Sequence, residues 1–171
     1  MKIDKERIVI EKLNLKDIDK YIEFVEKIKE NMEHKDWLGD FTKEDYEYLL
    51  SNGSLIYIWK YNDIYVASGM LIPTTQKDLL KFNLEELDVD KTMDFGPEMV
   101  ADEYRGNGLQ KDVLNYLIEY IKKLGYKNCV TTIHPENIYS INNIEKVGFK
   151  SVGEVTLKRG PRIILVMNLS E

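Results

Sequence analysis

The segment from Arg105 to Lys111 is the part of the sequence best suited to bind a ligand. Gly106 and Gly108 precede a run with helical periodicity. The first N–H groups of a helix lack intrahelical partners and favour negative charge, and glycines let the backbone approach a phosphate closely. The sequence therefore predicts a pyrophosphate-binding turn, with seven candidate contact residues: Arg105, Gly106, Asn107, Gly108, Leu109, Gln110 and Lys111.

Acidic residues just before this turn are candidates for acid–base chemistry. Glu98 falls on a predicted strand over residues 93–101, where burial would raise its pKa toward neutrality and suit it to act as a general base. Asp94 is the alternative on the same strand face. Glu98 is otherwise interpreted as the partner of a nearby Lys or Arg, or as exposed beside Pro97. His134 is a further candidate base, although a single His before a proline is more often structural.

The Cys and His content predicts no metal centre. The chain has one Cys and two His, and these are scattered along the sequence rather than clustered at ligand spacing. Cys129 lies in an apolar strand and is expected in the core. One Cys cannot form an internal disulfide, which is typical of a reducing cytoplasm.

A strand–turn–helix unit is expected to position the ligand-binding turn. Apolar residues at 3.6-residue spacing predict a helix over 108–124, and Gly125 suits its end. Pro97 cannot donate to a ladder hydrogen bond. It therefore favours a bulged, splayed strand over a regular one at 93–101.

The remaining elements follow from periodicity, capping pairs and turn residues. Residues 73–91 are expected to form a polar insertion with a helical turn around 79–87, which is either a lid or substrate-side wall or a plain surface loop. The other predicted elements are a strand at 6–13, a helix capped by Asn14 and Asp17 and ending near 31–34, a helix at 42–50 capped by Thr42 and Asp45, a hairpin of 54–61 with 64–72, a strand at 128–134, a helix at 138–147 and a hairpin of 150–157 with 161–169. The order β-α-α-β-β-β-α-β-α-β-β predicts a mixed α/β fold, with one domain over residues 1–171.

The glycine spacing distinguishes between families of phosphate-binding turns. A P-loop requires G-x-x-x-x-G-K-S/T, and a dinucleotide fingerprint requires a third glycine where this chain has Lys111. The turn instead resembles the Q/R-x-x-G-x-G/A signature of the Gcn5-related N-acetyltransferase (GNAT) superfamily. Arg105 and Gly108 match that signature, whereas Gln110 replaces the usual small residue. An unrelated nucleotide- or phosphate-binding protein is the competing interpretation of this turn.

A second resemblance lies downstream, in His134-Pro135-Glu136-Asn137 and in Val147-Gly148-Phe149. It implies that Asn137 contacts the pantetheine arm of the cofactor, although Asn137 is equally suited to cap the next helix. Ser140 and Asn143 share its helix face and either line the cofactor channel or form a solvated face. Family members often carry a Tyr that protonates the leaving thiolate, but this chain has Ile144 there. No general acid can therefore be assigned.

The resemblance covers residues 93–150 in motif and the whole chain in layout. It implies a GNAT-like acyl-CoA N-acyltransferase fold, with a mixed, mostly antiparallel twisted sheet splayed between strands 4 and 5 and flanked by helices. It also implies transfer of an acetyl group from acetyl-CoA to a primary amine by direct attack in a ternary complex. Backbone groups of Met99, Val100 and Ala101 would then contact the cofactor, with Glu98 as base. A catalytically inactive acyl-CoA-binding or regulatory module is the alternative.

Composition and charge limit the classes of partner that the chain can be expected to have. The formal net charge of −6 and pI near 5.1 argue against nucleic acid and mildly favour a cationic amine acceptor. No apolar run approaches the ~20 residues of a membrane helix, and the N-terminal residues lack a signal-peptide core. We therefore expect a cytoplasmic monomer or homodimer that acts on a small-molecule or peptide amine, without nucleic acid or membrane partners.

Overall fold

The computed structural model describes residues 1–170. Its strands form one sheet in the order β1-β2-β3-β4-β6-β8-β7, with β5 paired to β3 beside this path. Every strand pair is antiparallel except the parallel pair of β4 and β6, which confirms the predicted mixed, mostly antiparallel sheet. The strands are β1 Ile8–Lys12, β2 Leu55–Tyr61, β3 Ile64–Pro73, β4 Thr92–Phe95, β5 Met99–Val100, β6 Asn128–Ile133, β7 Lys150–Leu157 and β8 Gly160–Asn168.

Helices cover both faces of the sheet: α1 Ile18–Glu30, α2 Lys43–Ser51, α3 Gln76–Lys81, α4 Leu109–Lys123 and α5 Ile138–Lys146. One apolar cluster joins α4 and α5 to one face, and another joins α1 and α2 to the opposite face. Helix α4 packs closely on β3, because a Cβ added to Gly69 would lie 2.6 Å from Val113 and 2.7 Å from Leu117. This close packing positions the start of α4 beside the centre of the sheet.

The predicted caps and turns have mixed outcomes. The capping box of Thr42 and Asp45 is present at the start of α2, and Asn62 and Asp63 take positive φ in the β2–β3 hairpin. The predicted cap by Asn14 is wrong, because its side chain makes no capping hydrogen bond. A 3₁₀ turn over Leu15–Asp17 leads into the chain's first α-helix instead.

The insertion between β3 and β4 is neither a plain loop nor wholly polar. It contains α3, and Leu79 and Leu84 are buried against Val130 and Ile164 of the sheet. These apolar anchors hold the insertion on the same sheet face as Met70 and α1. The insertion therefore packs against the part of this face formed by β6 and β8, and its role as a lid or wall stays a prediction.

The central strand is interrupted by a bulge. Phe95 pairs with Leu71 and Met99 pairs with Ser68, so three residues of this strand, 96–98, stand opposite two of β3. Beyond the bulge, β5 pairs with β3 alone, whereas β4 pairs with β6 only as far as Asp94. The sheet is therefore splayed between β5 and β6. Because the predicted strand 93–101 is divided by the bulge into β4 and β5, this is the place expected between the fourth and fifth predicted strands.

Candidate active site

The gap between β5 and β6 exposes backbone groups that a regular sheet would use. The Ala101 amide donates to Val66 O at 2.9 Å, and the Ala101 carbonyl accepts from the Tyr104 amide at 2.9 Å. Because antiparallel bonding alternates along a strand, Met99 also faces β3 and Val100 faces the gap. Of the three predicted residues Met99, Val100 and Ala101, Val100 is therefore the one whose backbone groups remain available to a ligand. The backbone contacts expected from these residues are reduced to those of Val100.

The start of α4 has the geometry expected of an anion-binding turn. Gly106 and Gly108 have φ of +86° and +71°, in the left-handed region that favours glycine. Gly108 is the N-cap residue, and no side chain caps the helix. The first amides of α4, from Leu109 onward, are therefore not satisfied by a cap and can bind an anion.

Positive charge at this turn comes partly from a residue that the motif does not include. Arg105 is largely exposed and is paired with Asp102 at 3.0 Å, and Lys111 is exposed. Lys5 pairs with Asp112 of α4 at 2.8 Å, and its Nζ would lie 3.2 Å from a Cβ at Gly108. The N-terminal segment thus brings Lys5 to the turn, which spacing within the motif could not show.

The side chain of Asn107 holds that N-terminal segment in place. Its Nδ2 donates to the carbonyls of Met1 and Tyr104, both at 2.8 Å, and its Oδ1 accepts from the Ile3 amide at 3.2 Å. These bonds use the amide group of the side chain. A ligand contact at Asn107 would therefore come from its backbone.

Gln110 and Asn143 are joined across the two helices on this face. Asn143 Nδ2 donates to Gln110 Oε1 at 2.8 Å, and both residues are half-buried. The bond links α4 to α5 at the position where the motif usually has a small residue. It also brings two separately predicted cofactor contacts together.

A cleft of about 190 Å³ lies beside the splayed strands and is lined by the bulge segment that contains Glu98. Elements from distant parts of the sequence form its walls: the 37–41 loop, the 94–98 bulge segment, the end of β6, α5 and the β7–β8 hairpin. The predicted residues that meet here are Asp94, Glu98, His134, Asn137, Ser140 and Ile144.

Glu98 has the environment expected of a general base. Its Oε1 is buried and has no hydrogen-bond partner within residues 1–170. Burial raises the pKa of Glu98 to about 8; a hydrogen bond with its own backbone opposes this effect, and the charge of Asp94 adds to it by a smaller amount. Burial, together with Asp78, likewise raises the pKa of Asp94 to about 8. The alternative in which Glu98 is paired with a Lys or Arg is not what the structure shows.

His134 is held by neighbours rather than free to act as a base. Its ring stacks on Trp37 with centroids 5.5 Å apart, and His34 stacks on the same indole at 4.5 Å. The Nδ1 atom accepts from the Glu136 amide at 3.1 Å. With Nδ1 accepting, a neutral ring carries its proton on Nε2 and offers the cleft a donor.

Helix α5 presents polar atoms to the cleft at its start. Asn137 is the N-cap, and its Oδ1 accepts from the Ser140 amide at 3.3 Å, so the capping interpretation holds and Nδ2 remains for a ligand. Ser140 is half-buried and lines the cleft. Ile144 is 1% exposed and belongs to the core. No tyrosine lines this cleft in the part of the chain that the structure describes.

Two other kinds of feature are absent from residues 1–170. No group of three or more His, Cys, Asp or Glu side chains is arranged to hold a metal ion. No helix in that range is both long and apolar enough to cross a membrane. Cys129 is buried, as expected, and burial strongly raises the pKa of its thiol.

Solved structures with the same fold are acetyltransferases. An N-acetyltransferase from Staphylococcus aureus Mu50 shares 18% identity at a TM-score of 0.74, covering 95% of this chain and 98% of that one. The ribosomal-protein-S18-alanine N-acetyltransferase from Escherichia coli shares 15% at 0.72, covering 96% and 95%. AAC(6')-Ib, solved with paromomycin and acetyl-CoA, shares 20% at 0.70, covering 94% and 93%. At these identities the likeness shows the fold.

The family is established by the sequence itself. No curated protein matches the chain. The profile described as the acetyltransferase (GNAT) family matches residues 22–149, which include the bulged strand, the glycine turn and the start of α5. This match argues against an unrelated phosphate-binding protein. The chain therefore belongs to the GNAT acetyltransferase family.

Proposed function

We propose that this chain transfers an acetyl group from acetyl-CoA to a primary amine, by direct attack within a ternary complex. The observation that carries the proposal is Glu98, whose buried carboxyl has an unpartnered oxygen and lines a cleft beside the splayed strands. Acetyl transfer is general in the family. The single domain, the cytoplasmic location and the monomeric or dimeric state expected from the sequence remain part of this proposal.

The described residues fit acetyl-CoA. The uncapped amides of α4, with Arg105, Lys111 and Lys5 around them, would bind the diphosphate. Backbone groups of Val100 in the gap and the free Nδ2 of Asn137 would bind the pantetheine arm. When bound, acetyl-CoA supplies an acyl group on a thiol leaving group.

The chain's own part in the reaction is to orient the reactants and to move a proton. Holding both reactants makes the attack effectively intramolecular. A C–N bond replaces the C–S bond of the thioester, and the proton that the amine loses passes to the Glu98 carboxylate and then to solvent. The Val100 amide is a suitable donor for the acyl oxygen as negative charge develops on it.

The leaving thiolate receives no proton from a tyrosine. Ile144 is an apolar core residue at the usual donor position. A thiol with a pKa of about 8.5 leaves as thiolate and takes a proton from water. Ile144 is also the observation that favours the second candidate function, an acyl-CoA-binding or regulatory module without catalysis.

The release of free thiol separates the two functions. The protein is incubated with acetyl-CoA and a panel of primary amines, and CoA binding is measured in parallel. We expect thiol release that depends on both acetyl-CoA and amine, and that Glu98→Gln abolishes. Saturable CoA binding with no thiol release on any amine would favour the binding module.

A further inference from the structure

The end of the cleft opposite Glu98 is formed by two arginines. Arg159 and Arg162 come from the β7–β8 hairpin and line the same cavity as Asp94 and Glu98. β6 lies between β4 and β8 in the sheet, so at least two strand spacings, or about 10 Å and more, separate the backbones that carry the acidic and the basic side chains. The cleft therefore has an acidic end and a basic end.

Arg162 is a buried cation held by neutral groups. It is 1% exposed, and its guanidinium donates to the carbonyls of Pro161 at 2.8 Å and Asp36 at 2.9 Å. Within residues 1–170, no carboxylate oxygen lies within the 4.0 Å of an ion pair with Arg162 or Arg159. A buried charge without a counterion is unfavourable, so this position favours an incoming anion.

The nearby carboxylates of Asp36 and Asp40 act on this pair only through space, and within residues 1–170 neither forms an ion pair with it. Asp40 binds Lys29 Nζ at 2.6 Å, and Asp36 is exposed and contacts Arg162 through its backbone carbonyl. Burial, and next the charge of Arg159, lower the pKa of Arg162, whereas the charge of Asp36 raises it by a smaller amount, so positive charge dominates around this guanidinium. At the acidic end of the cleft, the neighbouring negative charge that raises the pKa of Glu98 is that of Asp94.

We infer that the acceptor is an amine that also carries a carboxylate, with its amino group toward Glu98 and its carboxylate bound by Arg159 and Arg162. Guanidinium groups bind carboxylates through paired N–H donors. A polycationic amine would place positive charge against two unpaired arginines, so amino acids or short peptides fit this cleft better than polyamines. This inference rests on the proposed function and specifies its substrate class.

The test compares amino acids with their own amides. Values of kcat/KM are measured for a panel of α- and ω-amino acids, each beside its carboxamide, and for spermidine. We expect at least one amino acid to be preferred over its amide by about tenfold or more. Equal rates for every acid–amide pair, or a preference for spermidine, would overturn the inference while leaving acetyl transfer in place.

Variants of the two arginines test whether these residues cause the preference for the amino acid over its amide. In Arg159→Gln and Arg162→Lys we expect the preference to shrink about tenfold through KM for the acid, with little change in kcat or in the kinetics of the amide. Lys158→Gln is the matched control, because it removes a neighbouring exposed charge that does not line the cleft. An equal loss for acids and amides in both arginine variants would mean that the arginines only hold the hairpin and the loop of Asp36.

Binding of the same panel to the CoA-loaded protein separates this inference from the proposed function. Acid binding that weakens in Arg159→Gln but not in Lys158→Gln supports the anion site even if no amine is acetylated. Acid binding that is the same in both variants contradicts the site, whatever the turnover.

Discussion

Glu98 and Asp94 are two carboxyl groups on one short segment, and burial raises the pKa of each to about 8. They differ in their neighbours, because Glu98 is affected by Asp94, whereas Asp94 is affected by Asp78 of the insertion. A carboxyl with a pKa of about 8 is half ionised at about pH 8, and its ionised form can take a proton from an attacking amine. The role of each carboxyl can therefore be read from the pH dependence of the rate.

Replacing Glu98 by Gln removes the proton acceptor and keeps the side-chain size. In the native chain we expect kcat/KM to rise with pH through about pH 8, because the carboxylate form is the base. In Glu98→Gln the part of that rise that comes from the carboxylate should be absent, and kcat/KM should fall by about 100-fold or more above pH 8. The measurement is the pH–rate profile of thiol release, with Glu154→Gln, an exposed Glu of β7, as control. An unchanged profile would exclude Glu98 as the base.

Replacing Asp94 by Asn tests the coupling between the two carboxyls. The negative charge of Asp94 contributes to the raised pKa of Glu98. In Asp94→Asn we therefore expect the pKa of Glu98 to fall and the rising limb of kcat/KM to move to lower pH, with activity retained. If Asp94→Asn loses activity as Glu98→Gln is expected to, then Asp94 is the base.

At the scale of the elements, the site depends on two local departures from regular structure. The bulge at 96–98 separates β5 from β6 and turns the backbone groups of Val100 toward the gap. The left-handed residues before α4 leave the first amides of the helix without a cap. Both departures place backbone donors where a long phosphorylated ligand can reach them, so the proposed cofactor contacts depend more on backbone geometry than on side-chain identity.

Replacing Gly108 by Val tests the turn. The substitution places a β-branched residue at φ of +71° and a Cβ 3.2 Å from Lys5 Nζ. Since an L side chain is strained there, we expect the turn to shift and CoA to bind about tenfold more weakly or worse, equivalent to ~1.4 kcal/mol. Calorimetric titration with CoA measures the change.

Gly125→Val is the matched control for Gly108→Val. Gly125 also has a positive φ, +87°, but lies past the other end of α4 with no atom near its added Cβ. The two variants carry a similar backbone strain, because both glycines have a positive φ. A loss of CoA affinity in Gly108→Val alone therefore reports a local effect on the turn. Equal losses of CoA affinity in both would mean that the turn does not bind the diphosphate.

At the scale of the whole molecule, the distribution of charge matters more than its total. The net charge of −6 taken alone favours a cationic acceptor. The cleft instead holds carboxyls at the bulge and unpaired guanidiniums at the β7–β8 hairpin. A ligand in the cleft is affected mainly by these near charges, because salt screens distant exposed ones over about 10 Å.

The buried carboxyls also make the stability of the whole chain depend on pH. Their pKa values are higher in the folded chain than in the unfolded chain, so the folded state binds more protons from about pH 4 to pH 8. Stability therefore falls as pH rises across this range. We expect the free energy of unfolding to drop by about 2 kcal/mol for each carboxyl, and so by on the order of 4 kcal/mol in total, between about pH 6 and pH 8.

Denaturant unfolding at these two pH values measures this drop. The double variant Asp94→Asn with Glu98→Gln has no such carboxyls and should lose less stability between the two pH values than the native chain does. A double variant whose stability falls as steeply as that of the native chain would mean that both carboxyls ionise normally in the folded state.

The sequence by itself determined what depends on local pattern. Periodicity and turn residues predicted the helix over 108–124, the hairpins and the order of helices and strands along the chain, because side-chain spacing directly reflects helical and strand geometry. The glycine spacing around Gly108 and the proline at 97 predicted the phosphate turn and the bulge, since both are constraints on the backbone of a few adjacent residues. Asn14 was misassigned because Asn and Asp favour turns as well as caps.

Only the tertiary structure decided what depends on neighbours distant in sequence. The pKa of Glu98 depends on how deeply the splayed strands bury it, and the contribution of Lys5 depends on a segment about 100 residues away from the turn. The basic end of the cleft arises because β6 and β8 are adjacent in the sheet although Arg162 is far from Glu98 in the chain. Burial and charge proximity are properties of packing in three dimensions, which a linear motif does not contain.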